Sequence, residues 1–312
     1  MSIELSLCVC VWNTSHLLRR SVHTLLKQNI DPSKWEMIVI DDNSQDDVEA
    51  AIAPLKGKIN LRYERLEHSY GMRGCTVAFN TAFGLARGNI IAETTAESLL
   101  PTDAISQLLL PHKSNPRCFV ALKTYVMSHT MQLAIDTEDW QSNILNLSRL
   151  PGWNSNWCQI NVPNPHFGTH MICSIRKDVW FEITNGLGFP LFADYGSEDQ
   201  HYCLTRKNKD VQDITLPVSC MGVHQWHETF TYWQSKGRGW NLNKFSHSMA
   251  NYLGDKSGHV PEGGTCMIWD NGSHEMLGQA DKDKWSTRDK IVIATGVPRD
   301  IVFGGNDVRV KA

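Results

Sequence analysis

Two hydrophobic rhythms alternate over the first 125 residues. Residues 5–11, LSLCVCV, are a short unbroken apolar run closed by Trp12-Asn13-Thr14-Ser15. That is the pattern of a buried parallel strand followed by a helix cap. In the next segment, HLLRRSVHTLLKQN, the positions Leu18, Val22, Leu25 and Leu26 keep to i, i+4, i+7 and i+8, so one helix face is apolar and the basic residues take the other. The run EMIVIDDNS (36–44) predicts a second strand ending in carboxylates. A short helix near 46–53 follows, then a strand near 59–65, then a longer helix from about Gly71 to Ala86 closed by Gly88 as a C-cap. NIIAETT (89–95) supplies another strand. Strands alternating with helices predict an α/β fold around a mostly parallel sheet flanked by helices, with ligands at the carboxyl ends of the strands. Asp41, Asp42 and Glu97 all fall at such ends.

The rhythm weakens from 126 to 165, a polar, tryptophan-bearing stretch with three prolines in its last fifteen residues, which reads as loop-rich cover over a site. GTHMICSIRKDVWFEI restores a strand and then a helix. Beyond 254 the chain is rich in Gly and Asp, with short alternating pieces such as KIVIATGV, the pattern of a small β-rich extension.

Composition narrows the class. With 312 residues and 41% apolar content the chain can bury a substantial core as one large domain or two modest ones. Thirty basic residues nearly balance 33 acidic ones, so the totals require no polyanionic or membrane partner. Nine cysteines, an odd number with no Cys-x-x-Cys spacing, suit a reducing cytosol. The N-terminus has no basic signal region, and no run of about 18 apolar residues occurs, so a cytoplasmic location without membrane insertion is expected.

Five polar clusters can carry chemistry. Asp41 and Asp42 can hydrogen-bond a base or ribose, or can cap the following helix. Glu97, after the strand ending in Thr95, can hold a divalent cation that carries a diphosphate, or can serve the cap of a helix beginning near Thr102. Glu198 and Asp199 follow a Tyr-Gly-Ser turn ahead of a helical run; such a carboxylate can take a proton from a hydroxyl nucleophile, or can answer the helix dipole. His224 and His227 bracket Trp226 after an apolar strand, and either can be a metal ligand or a phosphate donor. In YWQSKGRGWNLNK, Lys236 and Arg238 flank a glycine and can close over a diphosphate, while Trp233 and Trp240 resemble a stacking surface for a sugar or base.

Five ordered segments, LSLCVCVWNT, IVIDDNS, YGMRGCTVAFNTAFGLARGNIIAETTAESLLP, ICSIRKDVWFEITNGLGF and YGSEDQHYCLTR, resemble the family 2 glycosyltransferases over about residues 4–227. The resemblance implies a GT-A fold in a domain over 1–253, with a nucleotide-sugar half (1–125) and an acceptor and catalytic half (126–253), and a separate extension over 254–312. It further implies an inverting transferase that moves a hexose or pentose from a nucleoside-diphosphate sugar, a UDP-sugar being favoured, to the hydroxyl of a glycan or small molecule. In that family's terms Asp42 reads the nucleobase with Cys10, Val11 and Trp12 beside it and Asp41 in support. Arg73 lies near the nucleotide, Asp199 is the catalytic base, and Glu198 binds the acceptor. The usual Asp-x-Asp metal motif is here Thr95-Ala96-Glu97, so Mn²⁺ or Mg²⁺ would rest on Glu97 with His224, and His227 as runner-up. Two alternatives share the fold: a viral-type enzyme that glycosylates hydroxymethylated DNA bases in an infected cell, and an inactive nucleotide-sugar-binding protein.

Overall fold

The computed structural model describes residues 2–66, 75–127, 129–135, 159–161, 172–184, 186, 188–189, 206, 209–227, 265–268 and 274–277. The strands are β1 (Leu5–Val11), β2 (Trp35–Asp41), β3 (Asn60–Arg65), β4 (Ile90–Thr95), β5 (Ser98–Leu99), β6 (Cys118–Ala121), β7 (Thr124–Val126), β8 (Gln159–Asn161), β9 (Ile172–Arg176), β10 (Gln212–Thr215), β11 (Gly222–His224), β12 (Thr265–Ile268) and β13 (His274–Leu277). The α-helices are α1 (Ser15–Leu25), α2 (Val48–Ile52), α3 (Thr76–Leu85), α4 (Ala104–Leu109), α5 (Pro111–Ser114), α6 (His129–Ile135) and α7 (Lys177–Ile183).

Seven strands form the central sheet in the order β10-β6-β9-β4-β1-β2-β3. All neighbours are parallel except β9, which runs antiparallel to both β4 and β6. Period-2 alternation sorts the side chains into two layers. Leu5, Leu7, Val9 and Val11 with Met37 and Val39 pack under α1, α2 and α4, while Cys8, Ile38, Ile40, Ile91 and Ile175 pack under α3 and α7. Both faces of β1 and β2 are therefore covered, which is why their sequences read as continuous apolar runs. A second sheet, β5-β11-β7-β8, branches off two residues after β4 ends.

Where the structure differs from the sequence reading, packing explains it. Neither Thr14 nor Ser15 caps α1 with its side chain; Asp46, from the loop after β2, accepts from the Ser15 N–H at 2.7 Å. Helix α3 ends at Leu85 with Ala86 extended, and Gly88 is no C-cap: a Cβ there would lie 2.7 Å from the Leu5 carbonyl carbon. Gly88 is needed for close approach to β1, where its N–H donates to Ser6 Oγ at 2.9 Å. Glu36, fully buried, accepts from Ser6 Oγ, the Arg87 N–H and the Arg87 guanidinium, and anchors the same crossing. The stretch expected as loop-rich cover, 126–165, begins at the last residue of β7 and contains α6 and β8 within its described part. Beyond 254, β12 and β13 pair antiparallel with each other, and KIVIATGV lies outside the described residues.

The packing of α3 on α7 sets the entry to the segment expected to hold Glu198 and Asp199. Phe83 meets Trp180 edge-on at 5.7 Å between ring centroids, and Trp180 lies 4.8 Å from Phe189. The Asn80 amide both donates to and accepts from the Phe189 backbone at 2.8 Å, so Phe189 is fixed to α3 immediately before residue 190.

One buried imidazole gives the fold a pH signature. His112 Nε2 is 2.9 Å from Ser174 Oγ, whose own proton goes to the Leu108 carbonyl at 2.9 Å, and Nδ1 is 3.3 Å from Cys118 Sγ. This set is satisfied with a neutral ring, the Nε2 proton donated to Ser174. Burial, reinforced by the charge of Arg176, lowers the His112 pKa to about 4. An unfolded histidine titrates near 6.5, so between the two values the unfolded chain holds the extra proton. The associated stability is complete above about pH 6.5 and is lost as pH falls toward 4. Wild type should lose about 2 kcal/mol more unfolding free energy than His112→Gln between about pH 7 and pH 5 in urea titrations; equal losses would refute the assignment.

Candidate active site

The loop after β2 is built around Asp41, which is fully buried. Its carboxylate accepts from the Ser44 N–H at 2.8 Å, Tyr63 Oη at 2.9 Å and Arg65 at 2.7 Å. Arg65 also donates to Asn43 Oδ1 at 3.0 Å and to the Ser44 carbonyl at 2.8 Å. Burial, then the adjacent Asp41 carboxylate, pushes the Tyr63 phenol up to about 12. Asn43 and Asn13 take the left-handed conformation, with φ of 63° and 54°, which Asn tolerates better than most residues. Asn13 and Gln45 exchange hydrogen bonds at 2.6 and 2.7 Å, latching the turn after β1 to the turn after β2. Asp42 is held with its N–H on the Val11 carbonyl at 2.8 Å. Neither aspartate caps α2, whose cap is Asp47. Val11 belongs to the core and meets Asp42 through its backbone, whereas Cys10 and Trp12 are half-buried.

The second cluster lies across β1. Because Cys10 pairs with both Ile40 and Thr95, the tips of β2 and β4 flank the tip of β1, about 10 Å apart at two strand spacings. Glu97 occupies the turn from β4 into β5, and β5 pairs antiparallel with β11 so that His224 stands opposite Ser98. His224 Nε2 is 3.2 Å and His227 Nε2 3.6 Å from the same oxygen, Glu97 Oε1. Ligand atoms of the three residues lie within 4.8 Å of one another. Burial alone would raise the Glu97 pKa, but the hydrogen bond from His224 and the nearness of both imidazoles hold it well below the usual carboxylate range. Glu97 therefore caps no helix; α4 starts at Ala104 behind Asp103. Thr95 Oγ1 bonds Ser98 Oγ at 2.7 Å beside this cluster.

The set suits one divalent cation. Two of its separations, 3.2 and 3.6 Å, match the roughly 3 to 4 Å between ligands of an ion about 2.1 Å from each, and the widest, 4.8 Å, would have to close on binding. The structure thus brings together Glu97, His224 and His227, and, one strand over, Asp41 and Asp42 with Cys10, Val11 and Trp12. Asp199, Glu198, Arg73, Lys236 and Arg238 lie outside the described residues. Sequence reasoning missed Tyr63 and Arg65, which brace the aspartate loop, and Ser21 and Gln225, which brace the Glu97 turn. Each acts through a partner far away in sequence, so no local pattern singles it out.

Residues 6–168, just over half of the chain, match the glycosyl transferase family 2 sequence model. The chain belongs to glycosyl transferase family 2. Its fold is GT-A, as in S. aureus TarS. TarS 1-349 superposes with a TM-score of 0.54 at 15% identity, covering 72% of this chain and 60% of that one. Its complex with UDP-GlcNAc gives 0.58 at 14% identity, covering 82% and 68%. The longer TarS structure gives 0.53 at 13% identity, covering 72% and 37%. This chain thus spans 60% of the first of these structures. No protein of curated function matches the sequence.

Asp41 carries part of the loop's stability. Removing Asp41 strips Tyr63, Arg65 and the Ser44 N–H of their shared acceptor, although Arg65 still reaches water. Asp41→Ala should cost about 2–3 kcal/mol in urea unfolding. A cost below about 0.5 kcal/mol would show that the loop is held by other means.

Proposed function

We propose that the chain is an inverting glycosyltransferase that moves a sugar from a nucleoside-diphosphate sugar, a UDP-sugar being favoured, to the hydroxyl of a glycan or small molecule. The observation that carries the reading is the convergence of Glu97, His224 and His227 on one point at the strand tips, beside the Asp42 loop. Family membership supports the reaction class.

In this reading the nucleoside lies over the tips of β1 and β2. Asp42 accepts from the base, Cys10 and Trp12 form the wall beside it, and the Arg65-braced Asp41 keeps the loop from moving when the ligand leaves. Thr95 faces the diphosphate end. Glu97, His224 and His227 hold a divalent cation, which when bound compensates charge on the diphosphate. Arg73, Lys236 and Arg238 add positive charge there. Asp199 accepts the proton of the acceptor hydroxyl as its oxygen attacks the anomeric carbon from the face opposite the diphosphate, and Glu198 orients the acceptor. A new C–O bond forms as the bond to the diphosphate breaks, so configuration at that carbon inverts. We assign this chemistry to 1–253 and treat 254–312 as a separate extension; among the described residues, β12 and β13 pair only with each other. No helix among the described residues is long and apolar enough to cross a membrane, and a cytoplasmic enzyme is our reading.

One carboxylate and two imidazoles disfavour Mg²⁺, which sheds water reluctantly and prefers oxygen donors, and favour Mn²⁺. Mn²⁺ should therefore raise the melting temperature at concentrations where Mg²⁺ does not, and Glu97→Ala should abolish the effect. Equal shifts from both ions would contradict the donor assignment. With a panel of UDP-sugars and Mn²⁺, release of UDP should fall about 100- to 10,000-fold in Asp199→Asn while Mn²⁺ binding is retained. Turnover in that variant matching wild type would sink the proposed base.

A further inference from the structure

Gln225 sits between the two histidines of the cluster and is fully buried. A glutamine carries two donors and an acceptor that must be satisfied when it is enclosed. Its Nε2 donates to the Glu97 carbonyl at 3.0 Å and the Leu17 carbonyl at 3.1 Å, and lies 3.4 Å from Ser21 Oγ. Arg20 lies 3.4 Å from its Oε1. The Gln225 backbone N–H donates to the same Glu97 carbonyl at 3.1 Å, so one residue grips that oxygen twice. Ser21 Oγ donates to the neighbouring Ala96 carbonyl at 2.7 Å.

From this we infer that Gln225 is a positioning residue for the cation site, acting through Glu97 and through its own neighbours His224 and His227. The inference rests on the cation reading of that cluster. In a turn with a single carboxylate, the direction of that side chain depends on the peptide that carries it, and both carbonyls of the Ala96-Glu97 pair are tied to α1. The same side chain fixes the start of the His-x-x-His segment against α1, so all three donor residues take their placement from one helix. Met127 N–H on the His224 carbonyl at 2.9 Å and Trp226 N–H on Gln132 Oε1 at 3.1 Å hold the other side of that segment. Outer-shell partners of this kind typically change metal affinity by about 10- to 100-fold when removed.

Gln225→Met separates positioning from packing, because Met fills nearly the same volume without polar atoms. It leaves the Glu97 carbonyl its bond from the residue 225 N–H and leaves Leu17 its helical bond, so the variant should fold with a melting temperature near that of wild type. We expect its Mn²⁺ dissociation constant, read by titration calorimetry with MnCl₂ alone, to rise at least about tenfold. An unchanged Mn²⁺ affinity in Gln225→Met, whether or not its metal-free melting temperature drops, would make Gln225 merely structural and overturn the inference. Should Gln225→Met not fold, Gln225→Asn decides by the same comparison, since it keeps an amide but shortens its reach to the Glu97 and Leu17 carbonyls. Failure of the wild-type protein to bind Mn²⁺ is a different outcome: it would overturn the cation reading itself, and this inference with it.

Discussion

Burial of β1 on both faces is the constraint from which the site follows. A strand that packs Leu5, Leu7 and Val9 under α1 and Cys8 under α3 meets little solvent before Cys10, so a ligand can reach it only where the strand stops. Parallel neighbours stop on the same side, which puts the ends of β1, β2 and β4 in one row. The chain turns there with Asn13, Asp42 and Glu97 rather than with apolar residues. A site spread over sequence positions 10 to 227 is in this sense one edge of a single sheet, extended by the small sheet of β5 and β11.

Two carboxylates at that edge are compensated in contrasting ways. Asp41 is answered by a phenol, a guanidinium and a backbone N–H, all aimed by the fold, and serves as part of the loop's frame. Glu97 is answered by imidazoles at distances better suited to sharing an ion than to a tight hydrogen bond. Permanent partners suit a group that must stay put. Exchangeable partners suit a group that binds a cation and gives it up.

Strands β1, β2, β4 and β9 and helix α1 were legible because each is a local pattern: an apolar run, or a stripe at helical spacing. His224 and His227 were legible as a pair three apart, and Glu97 as an acid beyond a strand end. Gly88 was misread because a glycine after a helix looks the same whether it ends the helix or lets two backbones approach, and only the Leu5 contact separates the two. Helix α6 was missed because its described stripe is two residues, Met131 and Ile135, with Leu133 between them 58% exposed. Tyr63, Arg65, Ser21 and Gln225 act on partners 20 to more than 200 residues away. No window of sequence contains such a relation.

Placing Thr95 where the resemblance implies the first carboxylate of the usual metal motif has a structural corollary. A two-carboxylate site attracts a cation strongly enough to tolerate some slack in the donors, because two anionic charges offset its lost hydration. With one carboxylate and two imidazoles, affinity would depend more on donors already standing near the correct separation. Thr95 spends its hydroxyl on Ser98, at the first pair of the small sheet that carries His224, and so stiffens the turn instead of charging it. Ser21 and Gln225 tie the remaining two residues of that motif to α1. On the proposed cation reading, the hydrogen bonds that fix the tip of β4 are the preorganisation that would let a single glutamate anchor the ion.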